Sequence, residues 1–187
     1  MLSPYINTTF KTYVYLRPDQ LNNDIYNNLK NNLIFDLENK CFKDYGFIVK
    51  IYSIIDYSDG KVMSDNSYSP IAYEVTFSCK LCYPIKNNQL ICKIERITEE
   101  LIRLENGPIK VFVTSDRINK NMFYIDNNSN IRLKDKSKKL SNSDFVKVTI
   151  SSIIFNNRDI NITALGIIDN LATDDEIKNY YDNLYSK

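Results

Sequence analysis

Histidine is absent from the 187 residues. That removes the commonest general base and the commonest metal ligand together. Glycine is scarce, with four in the whole chain, and none sits in a Gly-rich phosphate loop. No nucleophile-elbow pattern occurs. No apolar run approaches the roughly 18–20 residues that a helix needs to span a bilayer. Met1–Phe10 is short and polar and does not read as a signal peptide. An enzyme with its own active site is disfavoured on these grounds.

Cysteine is limited to Cys41, Cys79, Cys82 and Cys92, and a reducing intracellular setting with free thiols is expected. Cys79 and Cys82 make a CxxC by letters, and zinc would need Cys41 and Cys92 as well. Cys79, however, lies in an alternating strand as an inward residue, and positions three apart on a strand point to opposite faces. A redox motif would require a strand-to-helix turn that is missing here. No metal or cofactor is expected. Asp56 and Asp59 lie close together on a loop with no partner base, as turn residues do.

What is present is ordinary for a globular chain: 43% apolar and 25% charged residues, with a net charge of +1. The charge is uneven. Residues 1–84 hold eight basic and nine acidic side chains, residues 85–170 hold fourteen and ten, and residues 171–187 hold two and four. The middle segment, net +4 by that count, is the only one biased toward a polyanion, and a solvated lysine-rich surface accounts for it equally well. The 24 asparagines fit an AT-rich coding genome.

Phe10–Leu16 alternates as a strand does. Pro18-Asp19 is expected to open a helix, with Leu21, Ile25, Leu29, Leu33 and Leu37 as one apolar stripe. Packing on its own sheet is the simpler role for that stripe; docking a partner is the other. Phe47–Ile55 reads as a strand. Asp56–Pro70 reads as a polar loop with its sharpest turn at Asp59-Gly60. Tyr73–Leu81 is the cleanest strand, with Tyr73, Val75, Phe77, Cys79 and Leu81 on one face.

From Lys86 the pattern changes. Leu90–Ile97, Leu101–Glu105, Ile109–Thr114, Phe145–Ile154 and Ile160–Ile167 are five short strand candidates. Asn106-Gly107-Pro108 forms a tight turn, and the polar stretch Asn119–Ser143 is expected to be a mobile loop. Five strands with one long insertion after the third suit an OB barrel; the edge of a five-stranded sandwich is the alternative. Thr173-Asp174-Asp175-Glu176 is a capping box that should start a short C-terminal helix through Tyr180, Tyr181 and Leu184.

A set of landmarks in order then becomes specific. Cys41-Phe-Lys-Asp-Tyr45-Gly46-Phe47-Ile48, Ile55-Asp56, the turn at Gly60, Tyr73-Glu-Val75-Thr-Phe77 and Tyr83-Pro84 resemble the stalk subunit of cellular RNA polymerases. That family comprises the seventh subunit of eukaryotic polymerase II and its counterpart in the archaeal enzyme. Asn106-Gly107-Pro108-Ile-Lys-Val-Phe112-Val113, Met122 to Asp126 and Ile162-Thr-Ala164-Leu165-Gly166 continue the resemblance, which spans roughly residues 8–168. It implies an α+β / all-β architecture: an N-terminal small sheet with one helix (a tip, RNP-like domain), then a five-stranded S1-like OB barrel. The expected divisions are a polymerase-docking tip domain at 1–84, the OB domain at 85–170 and a short helical tail at 171–187. The tail has no counterpart in the family, and a lineage-specific helix packing on the stalk is expected.

The resemblance further implies a non-catalytic subunit of a multisubunit DNA-dependent RNA polymerase. Its tip would dock at the clamp base of the large catalytic subunits through Asp59, Gly60, Lys61, Val62 and Met63. A second stalk subunit is a further implied partner. The barrel would contact nascent single-stranded RNA. Phe112 matches a position where S1-like domains carry an aromatic ring or histidine. Arg103 stands where the family often has phenylalanine, and a guanidinium both stacks on bases and pairs with phosphate. Lys93, Lys110 and Arg158 would add charge. Leu101 replaces an expected glycine. A core role for Phe112 is the alternative to RNA contact. A free-standing OB-fold single-stranded RNA-binding protein is the alternative for the whole chain. The composition favours a large DNA virus as source, with the host cytoplasm (its viral factory) and the virion as location; an AT-rich protist nucleus is the alternative.

Overall fold

The computed structural model describes residues 2–62, 69–98, 100–125, 131–134 and 139–185. The chain divides into two units. One comprises Tyr5–Cys82 with Asn157–Ile160; the other comprises Met1–Pro4, Tyr83–Asn156 and Asn161–Lys187.

The first unit is one antiparallel sheet with one helix on it. Strand β1 (Tyr5–Leu16) is followed by helix α1 (Ile25–Leu37), β2 (Lys40–Phe42), β3 (Gly46–Tyr57), the two-residue β4 (Lys61–Val62) and β5 (Ile71–Cys82). The order across the sheet is β1-β5-β3-β2, with β4 pairing β5 off that path. The inward row of β5 (Tyr73, Val75, Phe77, Cys79 and Leu81) is buried, as the alternation predicts. It meets Leu29 and Leu33 of α1, together with Val14, Ile48 and Ile51. Each such large apolar side chain contributes about 1.5–3 kcal/mol on burial.

The helix begins later than the stripe suggests. Pro18–Gln20 is a single 3₁₀ turn, and α1 starts at Ile25. Asparagine side chains redirect the backbone between them. The amide of Asp24 donates to Asn22 Oδ1 at 2.9 Å, and Asn28 Nδ2 donates to the Gln20 carbonyl at 2.8 Å. Such local bonds compete with the helical ladder. Leu21 is therefore left outside the stripe, 37% exposed. Strand β1 starts five residues earlier than expected, and the short β2 was not apparent from the sequence.

The second unit is a closed five-stranded barrel. Its strands are β6 (Gln89–Ile97), β7 (Leu101–Asn106), β8 (Ile109–Thr114), β11 (Phe145–Ile154) and β12 (Ile162–Leu171). β6 pairs with β7, β7 with β8, β8 in parallel with β12, β12 with β11, and β11 back with β6. This is the five-stranded OB closure, which leaves no free edge. The interior is filled by β-branched and leucine side chains such as Val111, Val113, Val148, Ile150, Leu104 and Ile168. Gly166 faces that interior. A Cβ there would collide with Val148 and lie 3.1 Å from Val111 Cγ1. The last strand begins two residues later than expected, and Ile160 is 75% exposed outside it.

The insertion after β8 differs from the loop expected there. It contains a small hairpin, β9 (Phe123–Ile125) with β10 (Ile131–Leu133). Phe123, Ile131, Leu133 and Leu140 are all buried. Ile118 bridges to Ile168 of the barrel, and Asn119 donates from its backbone to the Ile168 carbonyl at 2.9 Å and from Nδ2 to the Asp169 carbonyl at 3.1 Å. Helix α2 (Asp174–Tyr185) then follows the barrel. Its start is tied by Glu176 Oε2, which accepts from the Thr173 amide at 2.9 Å and the Thr173 hydroxyl at 3.0 Å. It packs on its own barrel unit. Tyr180 is buried against Phe145, with ring centroids 5.3 Å apart, and Lys147 Nζ lies 2.6 Å from Glu176 Oε1.

Candidate functional site

The turn Asn106-Gly107-Pro108 sets the register of β7 against β8. It places Asn106 opposite Ile109, Glu105 opposite Lys110 and Arg103 opposite Phe112. Residues two apart share a face, so Arg103, Phe112, Glu105 and Lys110 gather on the outside of the barrel. Phe112 is half-buried there, which sets aside the core reading of this residue. The Arg103 guanidinium carbon lies 5.8 Å from the Phe112 ring centroid, a cation–π distance.

Two carboxylates complete the patch. A bulge in β6 between Ile94 and Arg96 turns Glu95 outward. Glu95 Oε1 lies 3.8 Å from Arg103 Nη1, and its Oε2 lies 3.4 Å from Lys110 Nζ. Glu105 Oε2 lies 2.9 Å from the same Lys110 Nζ. Partial burial alone would lower the Lys110 pKa, but the hydrogen bonds and charges of Glu105 and Glu95 outweigh it and hold the ammonium above its usual value. These side chains remain between 29% and 48% exposed, so each pair adds only about 0–1 kcal/mol of stability. The larger effect is on charge: two cations are matched by two anions. Sequence reasoning missed both glutamates. Glu105 was legible from the turn register; Glu95 depends on a bulge that nothing in the alternation announces.

The other candidate RNA contacts are placed apart from that patch. Lys93, opposite Glu105 on β6, lines a small polar cavity of about 170 Å³ with Gly107, Tyr180, Tyr181 and Leu184. Helix α2 thus borders it. Tyr180 is held neutral up to about 12, chiefly by burial and then by the Glu105 charge. Arg158 belongs to the other unit. Its φ is 72°, in the left-handed region, and its amide donates to the Cys41 carbonyl at 2.7 Å.

The docking candidates lie at the β3–β4 turn. Asp59, Gly60, Lys61 and Val62 are all exposed, Val62 at 65%. Met63 lies outside the described residues, as does Asp126. Lys61 and Val62 are anchored by pairing with Ala72 and Ile71. Before them, the Ser58 amide donates to the Glu74 carbonyl at 2.9 Å, and the Glu74 amide donates to Ser58 Oγ at 3.0 Å. Gly60 is required by close approach: a Cβ would sit 2.6 Å from Ile71 Cγ2 and 2.8 Å from Tyr73 Cζ.

All four cysteines are free thiols and buried. Burial raises the Cys41 and Cys79 thiols to about 11 and pushes those of Cys82 and Cys92 up as well. Among the described residues no three acidic, cysteine or histidine side chains cluster as metal ligands, and no helix is long and apolar enough to cross a membrane.

Comparison with known proteins gives one family match and several relatives. The family model for the SHS2 domain found in N terminus of Rpb7p/Rpc25p/MJ0397 matches residues 11–67. A protein of Acanthamoeba polyphaga mimivirus named as a DNA-directed RNA polymerase subunit is 33% identical over 178 residues, 95% of this chain and 88% of that one. The DNA-directed RNA polymerase II subunit rpb7 of Dictyostelium discoideum is 25% identical over 149 residues, 78% of this chain and 85% of that one. The corresponding subunit of Glycine max is 23% identical over 176 residues, 90% and 99% of the two chains.

Proposed function

The chain belongs to the Rpb7-like family of DNA-directed RNA polymerase subunits, and on that footing we infer that it acts as the stalk subunit of a multisubunit polymerase, docked through its first unit and touching transcript through its barrel. It is a divergent, non-catalytic member of that family. The observation that carries the reading is extent: the 33% identity to a polymerase subunit runs over 95% of this chain and so takes in both units.

Docking is assigned to Asp59, Gly60, Lys61, Val62 and Met63, with the clamp base of the large catalytic subunits as the surface that receives them. An exposed valine and lysine on a strand pinned to β5 offer a rigid apolar and cationic tip. A second stalk subunit is a further partner in this reading. RNA contact is assigned to Phe112 and Arg103, with Lys93, Lys110 and Arg158 as supporting charge. A ring and a guanidinium side by side on an OB face suit stacking of unpaired bases. Because Glu95 and Glu105 neutralise the central cations, affinity in isolation is weak, and docking supplies the local concentration. The mimivirus relative supports a viral source. A viral polymerase would work in the host cytoplasm, in the viral factory, and be carried in the virion.

The test is affinity purification of the tagged full chain from its source. The expected result is co-recovery of the large catalytic polymerase subunits, lost in Val62→Asp and Lys61→Glu variants that keep the wild-type circular dichroism. Recovery of unrelated proteins alone would overturn the assignment.

A further inference from the structure

The insertion between β8 and β11 builds a cavity that the reading above does not use. It has a volume of about 330 Å³ and is lined by Ser115, Ile118, Lys120, Phe123, Tyr124 and Lys134. Its lining is mainly apolar. Phe123 and Ile118 are 2% and 7% exposed, and Tyr124 is 38% exposed. The walls are fastened to the barrel and to each other. Asn119 holds Ile168 and Asp169, the Phe123 amide donates to the Asn119 carbonyl at 3.0 Å, and the Lys134 amide donates to the Met122 carbonyl at 2.9 Å.

Charge separates this cavity from the central face. There, Arg103 and Lys110 are matched by Glu95 and Glu105. Here, among the described residues, neither Lys120 nor Lys134 has a carboxylate within ion-pair distance. Two uncompensated ammonium groups at an aromatic and aliphatic floor, with a hydroxyl at Ser115, suit a flat heterocycle attached to a phosphate. The volume lies at the small end of ligand pockets, roughly 300–1,000 Å³.

We propose that this cavity takes one unpaired nucleotide of single-stranded RNA, its base against Phe123 and Tyr124 and its phosphate between Lys120 and Lys134. The inference rests on the reading of the chain as an RNA-contacting polymerase subunit. It moves the principal contact from the barrel centre to the inserted hairpin.

The experiment uses the full chain and a 4-thiouridine-substituted 12-nucleotide RNA in about 50 mM salt, where phosphate contacts are strongest. Cross-linked peptides are mapped by mass spectrometry, and affinity is followed by anisotropy. Cross-links within residues 115–134 are expected. Lys120→Glu/Lys134→Glu should lower affinity at least tenfold and flatten the salt slope by about 1.4, from about 0.7 per phosphate contact on a single strand. A charge-matched Lys86→Glu/Lys178→Glu control, at exposed positions away from both faces, should change affinity less than twofold. If the two double variants lose affinity equally, the cavity is not the site. Cross-links confined to residues 93–112 overturn the cavity and leave RNA contact by the barrel standing. The absence of any cross-link overturns both. Capture of acidic peptide in place of RNA by the same lysines overturns the ligand class.

Discussion

Arg103 and Phe112 stand directly opposite each other on β7 and β8, with the guanidinium carbon 5.8 Å from the ring centroid. The pair is a closed contact as well as a stacking platform, because the cation rests over the surface a base would use while Glu95 sits 3.8 Å from its Nη1. Which behaviour dominates depends on the carboxylates.

Replacing both carboxylates is the direct measure. Glu95→Gln/Glu105→Gln keeps shape and removes two negative charges beside Arg103 and Lys110. RNA affinity of the full chain should rise severalfold, and the salt slope should steepen by about 0.7 for each further phosphate that is neutralised. An unchanged anisotropy titration would mean that the central face takes no part in RNA contact.

Gly166 should tolerate no side chain. In Gly166→Ala the new methyl group meets Val148 and Val111 inside a full barrel. Overpacking of this kind costs about 1–3 kcal/mol. A chemical denaturation curve should show that loss. A curve matching wild type would show that the barrel relaxes freely at β12.

Leu33 and Leu21 look alike in the sequence and should behave differently. Leu33 is 1% exposed and Leu21 is 37% exposed. Leu33→Ala should cost about 2–5 kcal/mol, whereas Leu21→Ala should stay within about 0.5 kcal/mol of wild type. Equal losses from both would restore the longer helix.

Attachment of α2 should depend on acid. Partial burial pushes the Glu176 carboxyl up, but the hydrogen bond and charge of Lys147 and the bonds from Thr173 outweigh it and hold the group below its ordinary 4.5. A carboxyl whose pKa is lowered on folding stabilises above its unfolded value, and that contribution fades as pH falls through the folded one. Near-ultraviolet dichroism from Phe145, Tyr180 and Tyr181 should therefore decline below about pH 4.5 in wild type. In Glu176→Gln it should be weaker throughout and insensitive to pH in that window.

Much of this architecture was legible because the alternation was clean. The inward row of β5 and the five barrel strands follow directly from period-two patterning. What was hidden depends on features that patterning does not encode. Asn22 and Asn28 divert the chain through side-chain bonds to the backbone, so the stripe through Leu21 overstates α1. A bulge brings Glu95 onto the central face. The polar composition of residues 119–143 concealed a hairpin held by only a few buried residues, Phe123, Ile131 and Leu133 among them. In the candidate site, Arg103, Lys110 and Phe112 were found by resemblance, and their neutralising partners were not, since cross-strand neighbours become visible only once register is fixed.

The burial of every native thiol has a practical use. Cys41, Cys79, Cys82 and Cys92 are each no more than 1% exposed, and burial keeps them protonated and unreactive at neutral pH. A single cysteine introduced at an open position such as Val62 would be the one fast-reacting sulfhydryl among the described residues. A dye or photoprobe placed there would report on the assembled machine from one known point, with no need to strip the natural cysteines first.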